Sequence, residues 1–367
     1  MFRRGIIVVL ACALAASAAT AAAGRRFPDC GEIPIAGRPA WAGDGRLVYA
    51  ARSAPFELRT VRSDGTHVQT LLRSDTDVEN PAVSPDGRLI AFEMTSADEV
   101  WIANRDGSGA HRVASGRSPA FSPDGTRLAL TGSATTAFNR FELDVLDLAG
   151  GARRVVAVDA AHAAEPAWSP DGRSLAFVGN ERLQFDFPAV KVVGADGSGE
   201  RFLGAQLGEA PAWSPRGAWI AYTDTADRSR PTEVHLIHPD GRGDRAIVRL
   251  RGLDAWSPAW SPDGRRLAFT VLAAGTARGL GLLWTVEASG RGAHPLAADC
   301  RFGTGEPDVI RTRDRRAVYA LEGDDVVLAR DGRPQSIHCG AGRDRVVADR
   351  RDRVAVDCER VQRRRLF

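Results

Sequence analysis

The chain is 367 residues long, with 44% apolar, 7% aromatic and 26% charged residues. That is an ordinary globular composition, long enough for one large core and a small appended element. The 49 Lys and Arg against 46 Asp and Glu leave a formal charge of +3, which excludes a nucleic-acid binder acting through the whole chain.

Residues 1–23 open with Arg3 and Arg4, continue with the apolar run Ile6 to Ala15 and end in Ala21-Ala22-Ala23. This is the layout of a secretory signal peptide, so an exported mature chain starting near Gly24 is predicted. Val9-Leu10-Ala11-Cys12 resembles a lipidation site, but its apolar segment is short and the small-residue cleavage pattern lies beyond it. No later apolar run approaches the ~20 residues a membrane helix needs, so no transmembrane segment is expected in the mature chain. Residues 24–37 read as a lead-in.

From residue 38 a repeat takes over. Ser-Pro-Asp-Gly recurs at 84–87, 122–125, 169–172 and 261–264, with variants at 42–45 and 214–217, and the spacings are 42, 38, 47, 45 and 47 residues. Proline presets φ for a type I turn, aspartate suits the next place and glycine takes the left-handed conformation. Each phrase is therefore a hairpin turn, and Asp86, Gly87, Asp124, Gly125, Asp171, Gly172, Asp263 and Gly264 are assigned structural turn roles. Apolar residues alternate after it (Ile90 and Phe92, Leu175 and Phe177, Leu267 and Phe269), as in strands with one buried face. Before it stands Trp41, Val83, Phe121, Trp168, Trp213 or Trp260, placed to pack between neighbouring sheets. A second glycine turn follows in each unit, at Gly65, Gly107, Gly151, Gly197, Gly241 and Gly290. Two turns per unit predict four-stranded antiparallel blades, six in number, over 38–300. The expected fold class is all-β.

Residues 166–177 and 258–269 resemble the TolB-like propeller repeat, Pro-Ala-Trp-Ser-Pro-Asp-Gly followed by Leu-Ala-Phe. The resemblance implies a six-bladed β-propeller over about residues 38–297. It is similar to repeats found both in secreted interaction proteins and in the non-catalytic part of serine peptidases, so the fold does not fix the function. TolB proteins act in bacterial envelope complexes, binding a peptidoglycan-associated lipoprotein, and also have an N-terminal α/β domain that the 14 residues 24–37 do not provide.

Without Cys12, an even set remains: Cys30, Cys300, Cys339 and Cys358. In an exported chain this favours disulfides, with three possible pairings. Ring closure brings together the flanks of the propeller, so Cys30 is expected to pair with Cys300 and Cys339 locally with Cys358. A zinc site is the competing reading, without Cys-x-x-Cys spacing to support it.

Residues 301–367 lose the phrase and carry glycine- and aspartate-rich turns instead. Asp308, Asp325 and Asp344 lie 17 and 19 residues apart, and the segment resembles a degenerate RTX-type β-roll of nine-residue repeats. That resemblance implies calcium held by Asp308, Asp325, Gly340, Gly342 and Asp344, with Ile310, Val327 and Val346 packed inside. The plainer alternative is a small disulfide-held β cap whose aspartates accept turn hydrogen bonds or pair with arginines. Arginine and aspartate alternate over 311–367, which reads as a solvated surface.

A catalytic set is not found. There is no Gly-x-Ser-x-Gly elbow, no His-Glu-x-x-His, and no length left for a hydrolase domain. His235 and His238 are three apart on an expected strand and so face opposite ways. Glu79, Glu165 and Glu209 precede the phrase at comparable distances and are assigned to the central channel, where they could attract a cation or a basic peptide. The leading expectation is an exported, non-enzymatic, monomeric propeller that binds a protein or envelope component in the periplasm, cell wall or medium. The alternatives are a propeller enzyme, either a lyase or a glycan-acting hydrolase using channel acids, and a calcium-dependent surface or adhesion protein.

Overall fold

The computed structural model describes residues 34–363 except 52–54, 136–139, 160–163, 183–184, 205–207, 226–230, 251–252, 274–280, 297–299, 303–306, 308, 313–316, 321–322 and 341. The signal segment, Cys30, the Cys300 side chain and Asp308 lie outside the described residues, and so does the expected Cys30 to Cys300 pairing. The fold is all-β: six four-stranded antiparallel blades, then two four-stranded parallel sheets.

Each phrase turn joins the innermost strand of a blade to its second strand, and each second glycine turn joins the third strand to the outermost. In the Ser-Pro-Asp-Gly turns the aspartate organises the hairpin. Asp86 Oδ1 accepts from Ser84 Oγ at 2.7 Å and from Arg88 N at 3.0 Å, while Ser84 Oγ accepts from Leu89 N at 2.9 Å. Glycine closes the turn with a left-handed φ of 71° at Gly87. These bonds hold the Asp86, Asp124, Asp171 and Asp263 carboxyls below the usual range, Asp124 at about 2, the serine hydroxyl being the largest cause in each case. The fifth copy has Arg216 in place of aspartate, yet Ser214 Oγ still accepts from Trp219 N at 2.9 Å. The hairpin therefore keeps its serine and backbone hydrogen bonds without the aspartate.

The apolar core is not one mass. Six clusters each join one blade to the next around the ring, including one between the sixth blade and the first, in which Ile35, Leu47 and Tyr49 meet Ala268 and Leu283. Tyr49, Phe92, Leu130, Phe177, Tyr222 and Phe269 hold the same place in successive blades, each at most 1% exposed. The aromatic residue before the phrase adds a polar tie to the preceding blade: Trp168 Nε1 donates to Ala120 O, Trp260 Nε1 to Ala212 O, and Trp41 Nε1 to Ala259 O, all at 3.1 Å. Trp213 departs, donating to Gly217 O of its own turn at 3.3 Å.

Closure of the ring uses one strand in two sheets. Pro34–Trp41 begins inside the stretch 24–37; its first residues pair with the sixth blade, Pro34 with Leu282 and Ile35 with Gly281, before it crosses to become the innermost strand of the first blade. The first and sixth blades thus form one 8-stranded sheet.

After the propeller, strands alternate between two parallel sheets. One contains Cys300–Phe302, Ala317–Tyr319, Ser336–His338 and Arg353–Val354; the other contains Val309–Arg311, Val326–Ala329, Arg345–Ala348 and Arg360–Arg363. Ile310, Val327 and Val346 stack in register inside, as expected, and face Val318 and Ile337 of the other sheet in one core. Cys339 and Cys358 are bonded, with Cα atoms 5.1 Å apart and a sequence separation of 19. Replacing both by serine is expected to cost this roll about 3 kcal/mol on the loop-entropy estimate. Denaturant titration should show a lowered midpoint for the roll alone, with the propeller transition unmoved.

Candidate functional site

All six innermost strands break register at one level, and that level is the start of the strand, away from the phrase turns. Five of the seven described non-glycine residues with positive φ sit there: Asn80, Ser118, Glu165, Ala210 and Ser257, each followed by Pro-Ala. In the first blade Gly37 takes the role with φ 67°. Left-handed backbone costs a non-glycine residue on the order of 1 kcal/mol, so a ring of such bulges persists only where neighbours hold it.

Side chains from adjacent blades supply that hold at Gly37, Ser118, Ala210 and Ser257. The residue after the large buried aromatic of the second strand reaches the next blade's bulge: Glu93 Oε2 accepts from Ser118 N and Thr223 Oγ1 accepts from Ser257 N, both at 3.0 Å. At the closing joint Thr270 Oγ1 donates to Gly37 O at 3.1 Å. In the fourth blade the equivalent residue is Val178, which has no polar group, and there Glu165 itself accepts from Ala210 N at 2.6 Å. Asn80 completes the chain by accepting from Arg38 N at 3.2 Å and donating to Glu93 Oε2 at 2.9 Å.

Glu79, Glu165 and Glu209 all lie at this level and are half-buried. Their equivalence is corrected, however. Glu79 and Glu209 each precede the bulged residue, whereas Glu165 is the bulged residue of its blade, one place later. The places matching Glu79 and Glu209 hold Arg117 in the third blade and Trp256 in the sixth. Asp98, bonded to the Arg117 guanidinium, and then Glu93 and Glu79 hold that arginine above its ordinary pKa. Reasoning from sequence missed Glu93, Arg117 and Trp256, and the repeated X-Pro-Ala frame is the signal that marks their level. Removing the Glu93 carboxylate strands the Ser118 N–H in a buried site. Glu93→Ala is expected to lower stability by about 2–3 kcal/mol in a guanidinium titration.

Histidine chemistry lies elsewhere, inside the fifth blade. His235 Nδ1 lies 3.0 Å from Asp244 Oδ1, which also accepts from Tyr222 Oη at 2.8 Å, and His235 Nε2 is 3.4 Å from both Asp224 and Glu233. Burial opposes a charge on His235, but Asp244 above all, then Asp224 and Glu233, raise its pKa; burial and Asp244 together push the Tyr222 phenol far up. The cluster holds no serine or cysteine nucleophile. His238 faces the other way, stacked on Trp219 at 3.8 Å.

In the roll, carboxylates act as rungs between coils. Asp344 Oδ1 accepts from Asp325 N at 2.9 Å, Glu359 from Asp344 N at 2.8 Å, and Asp352 from Gln335 N at 3.1 Å. Gly340 N donates to Asp357 at 3.0 Å, and Gly342 has φ 151° at a place where a Cβ would strike Gly323 O. Asp344 is thus engaged as the cap of the Asp325 backbone N–H. Among the described residues no group of three or more His, Cys, Asp or Glu is arranged to hold a metal ion. Burial, then Glu359, Asp324 and Asp357, raise the Asp344 carboxyl. A raised folded-state pKa stabilises the fold as pH falls and withdraws that stability as pH rises through it. Asp344→Asn keeps the oxygen facing Asp325 N and removes the charge. Its roll should melt higher than the parent at neutral pH, with the gap closing near pH 4, measured by calorimetry across pH.

Residues 40–185 match the family model of the TolB beta propeller domain. Over 285 residues the chain is 31% identical to the Tol-Pal system protein TolB of Gluconobacter oxydans, an alignment covering 72% of this chain and 59% of that protein. The chain therefore spans well under two thirds of that relative. The crystal structure of TolB from Acinetobacter baumannii superposes with a TM-score of 0.57 at 20% identity, over 68% of this chain and 63% of that one. A gluconolactonase from Xanthomonas campestris does so with 0.52 at 18%, over 69% and 87%. At these identities the two structures share the propeller fold with this chain.

Proposed function

We propose that this chain is an exported, non-enzymatic β-propeller that holds a protein or other envelope component at the bulged mouth of its ring. The observation that supports this reading is the ring itself. Six register breaks at one level bring Glu79, Glu165 and Glu209 together with Arg117 and Trp256 at the ends of the innermost strands. Acids beside one tryptophan and one arginine suit a peptide segment that carries a basic and an apolar residue. The similarity to a Tol-Pal system protein favours a partner in an envelope assembly, and no helix among the described residues is long and apolar enough to cross a membrane. The roll serves as a disulfide-held cap whose aspartates are structural.

The test is a crosslinked pull-down from the native cell envelope with the tagged full chain, run with calcium and with chelator. The parent is expected to retain one partner in both conditions. Glu79→Gln/Glu165→Gln/Glu209→Gln keeps each hydrogen-bond acceptor and should retain at least about 10-fold less, the value of one lost charged contact. Undiminished retention would refute the channel site, and retention only with calcium would reassign the roll.

A further inference from the structure

The outward face of the second parallel sheet carries a groove of about 480 Å³ that the proposed channel function does not use. Its floor is Leu328 and Val347, adjacent in register on neighbouring strands. Arg311, Arg330 and Arg345 rim it with Thr312. The three arginines are exposed, and among the described residues none has an ion pair or a side-chain hydrogen bond. Six propeller arginines, Arg59, Arg73, Arg112, Arg117, Arg153 and Arg249, by contrast sit on carboxylates. The one acid at the groove, Asp331, is occupied, accepting from Arg333 N at 3.0 Å and from Gln335 Nε2 at 2.7 Å.

The cause lies in the rungs. Asp344, Asp349, Asp352, Asp357 and Glu359 are turned onto backbone N–H groups at the coil corners, which leaves the strand faces to arginine. Beside the groove Val309, in register with Val326, is 61% exposed. Unpaired guanidinium groups above an aliphatic strip present two complementary demands: oxyanions that accept forked hydrogen bonds, and an apolar stem to cover the floor.

We propose that this face binds the phosphate of an anionic lipid, with the guanidinium groups around the phosphate and the lipid's apolar stem against Leu328, Val347 and Val309. An acidic sugar chain fits less well, because the groove is lined by no aromatic ring on which a sugar could stack. A basic residue near an anionic membrane surface contributes roughly 1 kcal/mol, so three together amount to on the order of 100-fold in partition.

The experiment is vesicle co-sedimentation of the full chain at about 0.1 M salt, where surface charge is screened beyond ~10 Å. Phosphatidylglycerol vesicles should bind the protein and phosphatidylcholine vesicles should not. Arg311→Gln/Arg330→Gln/Arg345→Gln should lose on the order of 100-fold, while Arg88→Gln/Arg216→Gln/Arg265→Gln, which removes the same charge from the propeller, keeps binding. Both variants change exposed side chains, and an unchanged melting curve confirms that they fold. Val309→Asp should weaken vesicle binding as well. Equal loss in the two triple variants would reduce the effect to net charge and overturn the site. Displacement by millimolar inorganic phosphate would make it a free-phosphate site, and binding to a soluble polyuronate but not to vesicles would make it a glycan site; either result overturns the lipid assignment.

Discussion

The apolar contact between one blade and the next is the interaction on which the rest depends. A four-stranded antiparallel sheet of this size buries its side chains only against another sheet. The six clusters therefore stand or fall as a ring, since each blade gives one face to its predecessor and one to its successor. Small residues such as Ala91, Ala176, Ala221 and Ala268 alternate with Phe92, Phe177, Tyr222 and Phe269, which lets one blade's rings fill the gaps left by the next. The tryptophan ties to Ala120, Ala212 and Ala259 then fix the stagger between sheets.

What the sequence makes legible follows from how many jobs a residue performs. Pro, Asp and Gly in the phrase each solve one steric or hydrogen-bonding problem, so the turns repeat as letters and the blade number can be counted. The bulges need only a backbone conformation and a neighbour's hydrogen bond. Asn80, Ser118, Glu165, Ala210 and Ser257 are of four different residue types, and only the following Pro-Ala reveals them. For the same reason three glutamates that look alike in spacing occupy two different backbone positions. In the roll, the sheet with Asp325, Asp344 and Glu359 as corner residues is readable, because acids recur two places before Val327, Val346 and Val361. The opposite sheet puts Gln335 in that place before Ile337, and its register becomes visible only once the strands are seen stacked.

Charge is distributed by role as well as by amount. In the propeller, arginines and acids meet across strands and blades, as where the buried Asp144 takes Arg153, which also donates to Ser115 O of the neighbouring blade at 2.9 Å. In the roll the acids serve the backbone inside the corners and the arginines are left facing outwards. The two parts thus present different surfaces, and residues 301–367 are also the more arginine-rich. A formal charge of +3 summed over the chain conceals that difference.

The strand shared by the first and sixth blades has a kinetic consequence. The bonds that lock the ring, Trp41 to Ala259 O and Thr270 to Gly37 O, span 218 and 233 residues. Contacts so remote in sequence form late, after loop-closure entropy has been overcome, and they slow folding. A chain emerging residue by residue can assemble the middle blades pairwise, but its first blade must wait with Ile35, Leu47 and Tyr49 uncovered until the last has been made. During that interval an apolar edge is open to any other chain nearby, so the joint that makes the finished ring durable is also where an unfinished one is most exposed to aggregation or to capture by a chaperone.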